Sequence, residues 1–129
     1  MTIEFKISEV IPAVPSEIYD AWLSSEGHSQ MTGSVAHASN EIGFEFDAWD
    51  GYICGTNVEL DPDRRIIQSW RTSEFGSDHT DSQIEITLEP VSGGTLLTLL
   101  HSSVPDGQGH YEQGWLTHYF DPMKAFFSS

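Results

Sequence analysis

Gln113-Gly-Trp-Leu-Thr-His-Tyr-Phe-Asp-Pro-Met-Lys-Ala-Phe-Phe127 is the one long stretch of the chain with helical apolar spacing. Trp115, Tyr119, Met123 and Phe126/Phe127 recur at steps of three and four, and Leu116 and Phe120 widen the stripe beside them. One bulky aromatic helix at the end of a chain otherwise rich in strands points to a sheet curled round that helix. Pro122 lies inside it, where a proline removes a backbone hydrogen bond and costs about 3 kcal/mol in a regular interior. A kink or short break is therefore expected near Asp121-Pro122. Trp115 and Tyr119 would then line one part of the groove and Met123, Phe126 and Phe127 another, with the pocket mouth at the joint.

Between Glu41 and Ser103 the chain reads as short strands joined by turn dipeptides. Gly43 to Trp49 runs into Asp50-Gly51, a strong two-residue hairpin signal. Tyr52 to Leu60 follows, closed by Asp61-Pro62-Asp63, and then Arg65 to Arg71. Ser82 to Glu89 is the cleanest period-two run, with Ile84, Ile86 and Leu88 facing one way. Gly93-Gly94 turns the chain into a last strand, Thr95 to Ser103. Upstream, Glu4 to Ile11 reads as a strand ending at Pro12, and Pro15 begins a helix with Glu17 in its first turn. Gly27 reads as its stop, and a second short helix covers about Ser25 to Met31. The expected fold is α+β, one domain over residues 1–129. About six antiparallel strands wrap a long C-terminal helix, with two short helices after the first strand. Phe44, Phe46, Tyr52, Cys54, Val58, Trp70, Ile84, Ile86, Leu97 and Leu99 are placed on the concave face. The parity of the second and third strands is left open, because Gly43, Gly51 and Gly55 permit bulges.

A chain of 129 residues, 38% apolar, buries a sizeable core without staples. No apolar run approaches the roughly 20 residues that span a bilayer, and the N-terminus carries no leader pattern. A lone cysteine, Cys54, excludes an internal disulfide, so a cytoplasmic location is expected. Twenty acids against five bases give a formal charge of −15, which repels phosphate backbones and anionic lipid. No nucleic-acid partner and no membrane insertion are expected. Two readings of the acidity stand: a heavily solvated surface suited to high salt, or a docking face for a basic protein partner.

Several segments carry a family likeness. Gly51-Tyr-Ile-Cys-Gly55, Val58-Glu59-Leu60-Asp61-Pro62 and Arg65-Ile-Ile-Gln-Ser-Trp70 come first. Gly94-Thr95, Leu97-Thr98-Leu99, His101-Ser102, Val104-Pro105 and Gly114-Trp115 follow in order, and Ile11-Pro12-Ala13-Val14-Pro15 leading to Tyr19-Asp-Ala-Trp22 precedes them. Together they resemble bacterial homologues of the activator of the ninety-kilodalton heat-shock-protein ATPase. The resemblance implies the START-like (SRPBCC, helix-grip) fold with an apolar pocket between sheet and helix, in a superfamily of lipid carriers, hormone receptors, cyclases and a co-chaperone domain. Met31-Thr32-Gly33 departs from the pattern, since relatives often carry tryptophan before the glycine. The further N-terminal domain of the eukaryotic co-chaperones is not expected here.

His101 shares parity with Leu97 and Leu99, so it should point at the helix. There it could orient a ligand or act as a base, or it could be a core histidine with its ring nitrogens satisfied. Trp22, Trp70, Trp115 and Tyr119 could stack on a ligand or simply fill the core, and Met123 joins them on the pocket list. Glu59 either faces solvent or pairs inward with Arg71. The other histidines lack the spacing of metal ligands, and no phosphate loop or serine elbow is present, so neither metal nor cofactor is expected. Three functions remain. One is a hydrophobic or aromatic small molecule held between sheet and helix. Another is a co-chaperone-like interaction domain. The third is a cyclase- or hydratase-type enzyme using His101 with Tyr52 or Tyr119.

Overall fold

The alternation along three central strands sets the architecture of the computed structural model, which describes residues 2–128. In β4 (Arg65–Thr72) every second side chain, Ile66, Gln68, Trp70 and Thr72, is buried. The same holds for Ser82, Ile84, Ile86 and Leu88 in β5 (Ser82–Val91), and for Thr95, Leu97, Leu99 and His101 in β6 (Gly94–Pro105). With β1 (Thr2–Ile11), β2 (Glu45–Ala48) and β3 (Ile53–Asp61) they make one six-stranded antiparallel sheet. The strand order is β1-β6-β5-β4-β3-β2, so the N-terminal strand closes on the last one. One face of this sheet is the core wall, as period-two burial requires.

Between β1 and β2 lie α1 (Pro15–Trp22) and α2 (Ser25–Thr32). Pro15 opens α1, as expected, and Gly33 ends α2 in the left-handed conformation at φ 83°. Gly27 is not a stop. It lies in the first turn of α2, capped by the Ser24 hydroxyl, and a Cβ there would come within 2.8 Å of the Ala21 Cα. Its role is the close approach of two short helices.

The parity of β3 differs from the expected one. Ile53 and Asn57 are buried, whereas Cys54 and Val58 are exposed on the outer face. The cause is cross-strand pairing. Ala48 pairs with Ile53 and Phe46 with Gly55, the register that an Asp50-Gly51 turn also gives, and residues paired across a hairpin share a face. With Phe46 and Ala48 inward, Ile53 is inward and Cys54 is not, and Val58 follows inward Asn57 at a bulge. The loop itself spans four residues, Trp49–Tyr52, of which Trp49, Asp50 and Gly51 take positive φ (54°, 56° and 87°). Phe44, just before β2, is half-buried against the core.

The C-terminal segment is helical from Tyr111 to Ser128 in three pieces: α3 (Tyr111–Trp115), a π-helical turn (Leu116–Phe120) and α4 (Asp121–Ser128). The Asp121 N–H bonds to the Leu116 carbonyl, a five-residue step. Pro122 thus enters as the second residue of a fresh α-turn, where it has no donor to lose. No break occurs at Asp121-Pro122: the helix is continuous, and its irregularity is the π-helical turn just before them. Phe120 and Met123 are fully buried against the sheet, and Lys124 pairs with Glu9 to tie α4 to β1.

Candidate functional site

The first half of the C-terminal helix does not close on the sheet. A cleft of about 600 Å³ opens between it and the β2–β3 hairpin. Trp49, Tyr52 and Ile53 line the hairpin side and Trp70 the floor; Tyr111, Gly114, Trp115, His118 and Tyr119 are among those on the helix side. Gly114 is part of the wall, and a Cβ built there meets nothing within 4 Å. Its neighbour Trp115 turns inward, stacks against Trp22 (ring centroids 6.2 Å apart) and packs at a tilt against Trp70 (5.5 Å) and Tyr119 (4.7 Å).

The polar atoms around the cleft are mostly engaged. His101 is fully buried behind Trp70 and Trp115, and both ring nitrogens are in use. The Trp115 indole N–H donates to Nδ1 (3.0 Å). That fixes the tautomer: Nε2–H donates to the Ser82 hydroxyl (2.8 Å), which donates to the Trp70 carbonyl (2.6 Å). Burial with no carboxylate beside it pushes the His101 pKa down to about 3. The neutral ring is a completed core element with no nitrogen left for proton transfer.

His28, within the second short helix expected from the sequence, is a second such element. It sits in α2, 4% exposed, where Nδ1–H donates to the Trp22 carbonyl (2.9 Å) and Nε2 accepts from the Tyr119 hydroxyl (2.9 Å). Burial lowers its pKa, and the carbonyl contact opposes that only in part. Burial likewise raises the Tyr119 pKa well above the usual phenol range. Tyr111 donates to Gln108 (2.7 Å) and lies 2.6 Å from the Thr72 hydroxyl, while Tyr52 donates to Glu74 at the rim. Deeper in, Trp22 donates to Gln68 (3.2 Å), and Gln68 donates to Asn57 (2.8 Å). Trp49 is the exception. Its indole N–H lies near the Tyr119 oxygen without hydrogen-bond geometry, and is the one buried side-chain polar atom left without a partner among the described residues.

Of the residues expected at the pocket, the cleft wall holds Tyr52, Trp70, Trp115 and Tyr119. Trp22, Phe46, Ile84, Ile86, Leu97, Leu99, His101 and Met123 lie in the core behind it, and Phe44 packs at its margin. Cys54 and Val58 lie outside, for the reason given above. Partial desolvation raises the Cys54 thiol pKa despite Arg71 opposite it, so no reactive thiolate forms. Glu59 faces outward and pairs with Arg65, while Arg71 pairs with Asp81. The opening lies beside Gly114 to Tyr119, upstream of the Asp121-Pro122 joint where the mouth was expected. Trp49, Tyr111 and His28 were missed. A tryptophan abutting the Asp50-Gly51 turn was a usable signal, but nothing in the sequence pairs His28 with Tyr119, 91 residues away. Among the described residues no group of three or more His, Cys, Asp or Glu is arranged to hold a metal, and no helix is long and apolar enough to cross a membrane.

A model of the family described as activator of Hsp90 ATPase homolog 1-like protein matches residues 12–128. The chain belongs to that family. Within it, the chain is similar to an activator of 90 kDa heat shock protein ATPase homolog from Dictyostelium discoideum, 30% identical over 126 residues. That match covers 95% of this chain and 32% of the relative. The human activator homolog 1 is 25% identical over 127 residues, 98% of this chain and 37% of the relative. The chain therefore spans about a third of the length of the curated family members it matches. Among solved structures, a Plasmodium falciparum HSP90 activator superposes with a TM-score of 0.85 at 20% identity, covering 98% of this chain and 96% of that one. A protein of the dynemicin biosynthetic locus superposes at 0.79 with 17% identity, over 98% of this chain and 47% of that one. At these identities the structural likenesses establish the shared helix-grip fold.

Proposed function

We propose that this family member is a binding protein for a hydrophobic small molecule, held in the aromatic cleft between the β2–β3 hairpin and the first turns of the C-terminal helix. The observation that carries this reading is the cleft itself, whose wall includes Trp49, Trp70, Trp115 and Gly114. A cleft of about 600 Å³ lies within the range of small-molecule sites, and its wall is aromatic with few polar groups, as such sites require. The two satisfied histidines argue against proton-transfer chemistry and leave binding as the activity.

Gly114→Leu tests it. Gly114 lines the cleft, a Cβ there meets nothing within 4 Å, and leucine favours the helix over glycine by roughly 0.5–1 kcal/mol. A neutral dye such as Nile red should bind the natural protein at one equivalent and lose at least about tenfold in affinity to the variant. Equal binding by a folded Gly114→Leu protein would remove the cleft from the proposal.

A second reading rests on kinship. The curated relatives are named as activators of the 90 kDa heat-shock-protein ATPase, and 95–98% of this chain aligns with them. A co-chaperone-like domain would present its acidic surface to a basic patch on that partner. Titration onto the 90 kDa heat-shock protein of the same cells should raise its ATP turnover, with affinity falling as salt rises. No binding at low salt would end this reading.

A further inference from the structure

Two loops meet at one end of the cleft, the β4–β5 loop and the link between β6 and α3, and the hydrogen bonds between them form a closed ring. The Gln108 side-chain N–H donates to the Glu74 carbonyl (3.1 Å), and the Glu74 backbone N–H donates to the Thr72 hydroxyl (3.1 Å). The Thr72 and Tyr111 hydroxyls lie 2.6 Å apart, and Tyr111 donates to the Gln108 side-chain oxygen (2.7 Å). Tyr111 spends its one proton on Gln108, so Thr72 donates to Tyr111 and every donor points the same way round, an arrangement in which each bond strengthens the next. The Glu74 carboxylate adds a bridge between the walls. It accepts from Tyr52 on the hairpin side and lies 3.4 Å from His110 Nε2 at the start of the helix side.

The two halves of this fastening are held with different firmness. Glu74 is fixed from both neighbours: the Ser73 N–H donates to the Tyr52 carbonyl (3.0 Å), and Phe75 is buried against Trp70 and Tyr111. The link at residues 106–109, Asp-Gly-Gln-Gly, has no apolar side chain to anchor it and turns at Gly107, at φ 89°. Gln108 is what ties it down. Trp70, Trp115 and Tyr119 behind it are each only 3% exposed, so a molecule that packs fully on them must part the walls.

We infer that Glu74 and Gln108 form a clasp across this end of the cleft, and that its opening admits the ligand. The inference rests on the cleft reading above and adds the route of entry. Neither residue lines the cleft, so removing either side chain takes no contact from a bound molecule. Both lie outside the packed core, Glu74 exposed and Gln108 half-buried, so Glu74→Ala and Gln108→Ala are the variants to compare with the natural protein.

In stopped-flow mixing with Nile red, entry and exit rates should rise together by about three- to tenfold in each variant, with the dissociation constant changed by less than about twofold. A side chain with only a structural role would shift the affinity and leave entry no faster. Without dye, amide exchange at residues 107–112 should quicken by a similar factor, while Ile84 and Ile86 exchange as before. Unchanged entry rates, or exchange at residues 107–112 equal to that of the natural protein, overturn the clasp and leave the cleft reading standing. A natural protein that binds no Nile red removes the cleft reading, and the clasp as a gate falls with it.

Discussion

His101 should make the stability of this protein depend on pH in a way one substitution removes. In the unfolded chain the ring titrates near its ordinary value of 6.5, and in the folded protein burial among Phe5, Trp70, Tyr111 and Trp115 lowers the pKa to about 3. Above pH 6.5 both states hold a neutral ring, and the group adds no slope. Below it the unfolded state takes up a proton that the folded state refuses, so stability falls as pH falls, levelling off near pH 3. The slope approaches about 1.4 kcal/mol per pH unit, and between pH 7.5 and pH 5.0 the loss amounts to about 2 kcal/mol. In a domain whose whole stability is roughly 5–15 kcal/mol this is readily measured by urea unfolding. His28, whose pKa burial also lowers, adds a slope of the same sign, so the natural protein alone is not decisive. The His101→Gln variant cancels it. Its amide oxygen can accept from Trp115 and its amide N–H donate to Ser82, so the hydrogen bonds survive while the titration does not. The natural protein should lose about 2 kcal/mol more than the variant on going from pH 7.5 to pH 5.0. Curves that run parallel to within roughly 0.5 kcal/mol would refute the picture of a neutral, uncompensated core histidine.

Three further outcomes follow from the packing. Trp115→Phe keeps the stacking but strips His101 Nδ1 of its donor, and should lower stability by about 1–3 kcal/mol in chemical denaturation. Gly55→Ala places a Cβ at 1.9 Å from the Ser69 carbonyl oxygen and 2.8 Å from the Phe46 ring, so β3 and β4 must part; a loss above about 3 kcal/mol is expected, and a loss below 1 would contradict the geometry. Pro122→Ala should change stability by less than about 1 kcal/mol, because the π-turn has already absorbed the missing donor. A gain near 3 kcal/mol, the full cost of an interior proline, would mean that the turn does not accommodate Pro122.

Period-two burial in Ser82–Glu89 and Thr95–Ser103, glycine at the tight hairpin and the three-four spacing from Trp115 to Met123 are local signals, and each specified its element correctly. They were enough for six strands, three helical segments and the inward face of β4, β5 and β6. Family kinship was legible for the same reason: turn glycines and core residues recur in a fixed order. Cys54 and Val58 were misplaced because residues paired across an antiparallel hairpin share a face: with Phe46 and Ala48 inward, their partners Gly55 and Ile53 are inward and Cys54 is not, and Val58 follows inward Asn57 at a bulge.

The long helix itself was plain from its sequence, and so was the strain at Pro122. What the strain does was not: a proline can kink a helix, break it or be absorbed by a π-turn, and the packing of Phe120 and Met123 on the sheet selects the last. The cleft belongs wholly to the tertiary structure. Whether a stripe of aromatic residues fills its own groove depends on volumes summed over elements far apart in the chain. Here the first half of the C-terminal helix leaves a cleft against Trp49 and Trp70, with Gly114 in its wall. The state of each histidine was decided at the same level. His28 and His101 are neutral because Tyr119, Trp22, Trp115 and Ser82 converge on them from other elements, and burial by the assembled core makes the charged form too costly.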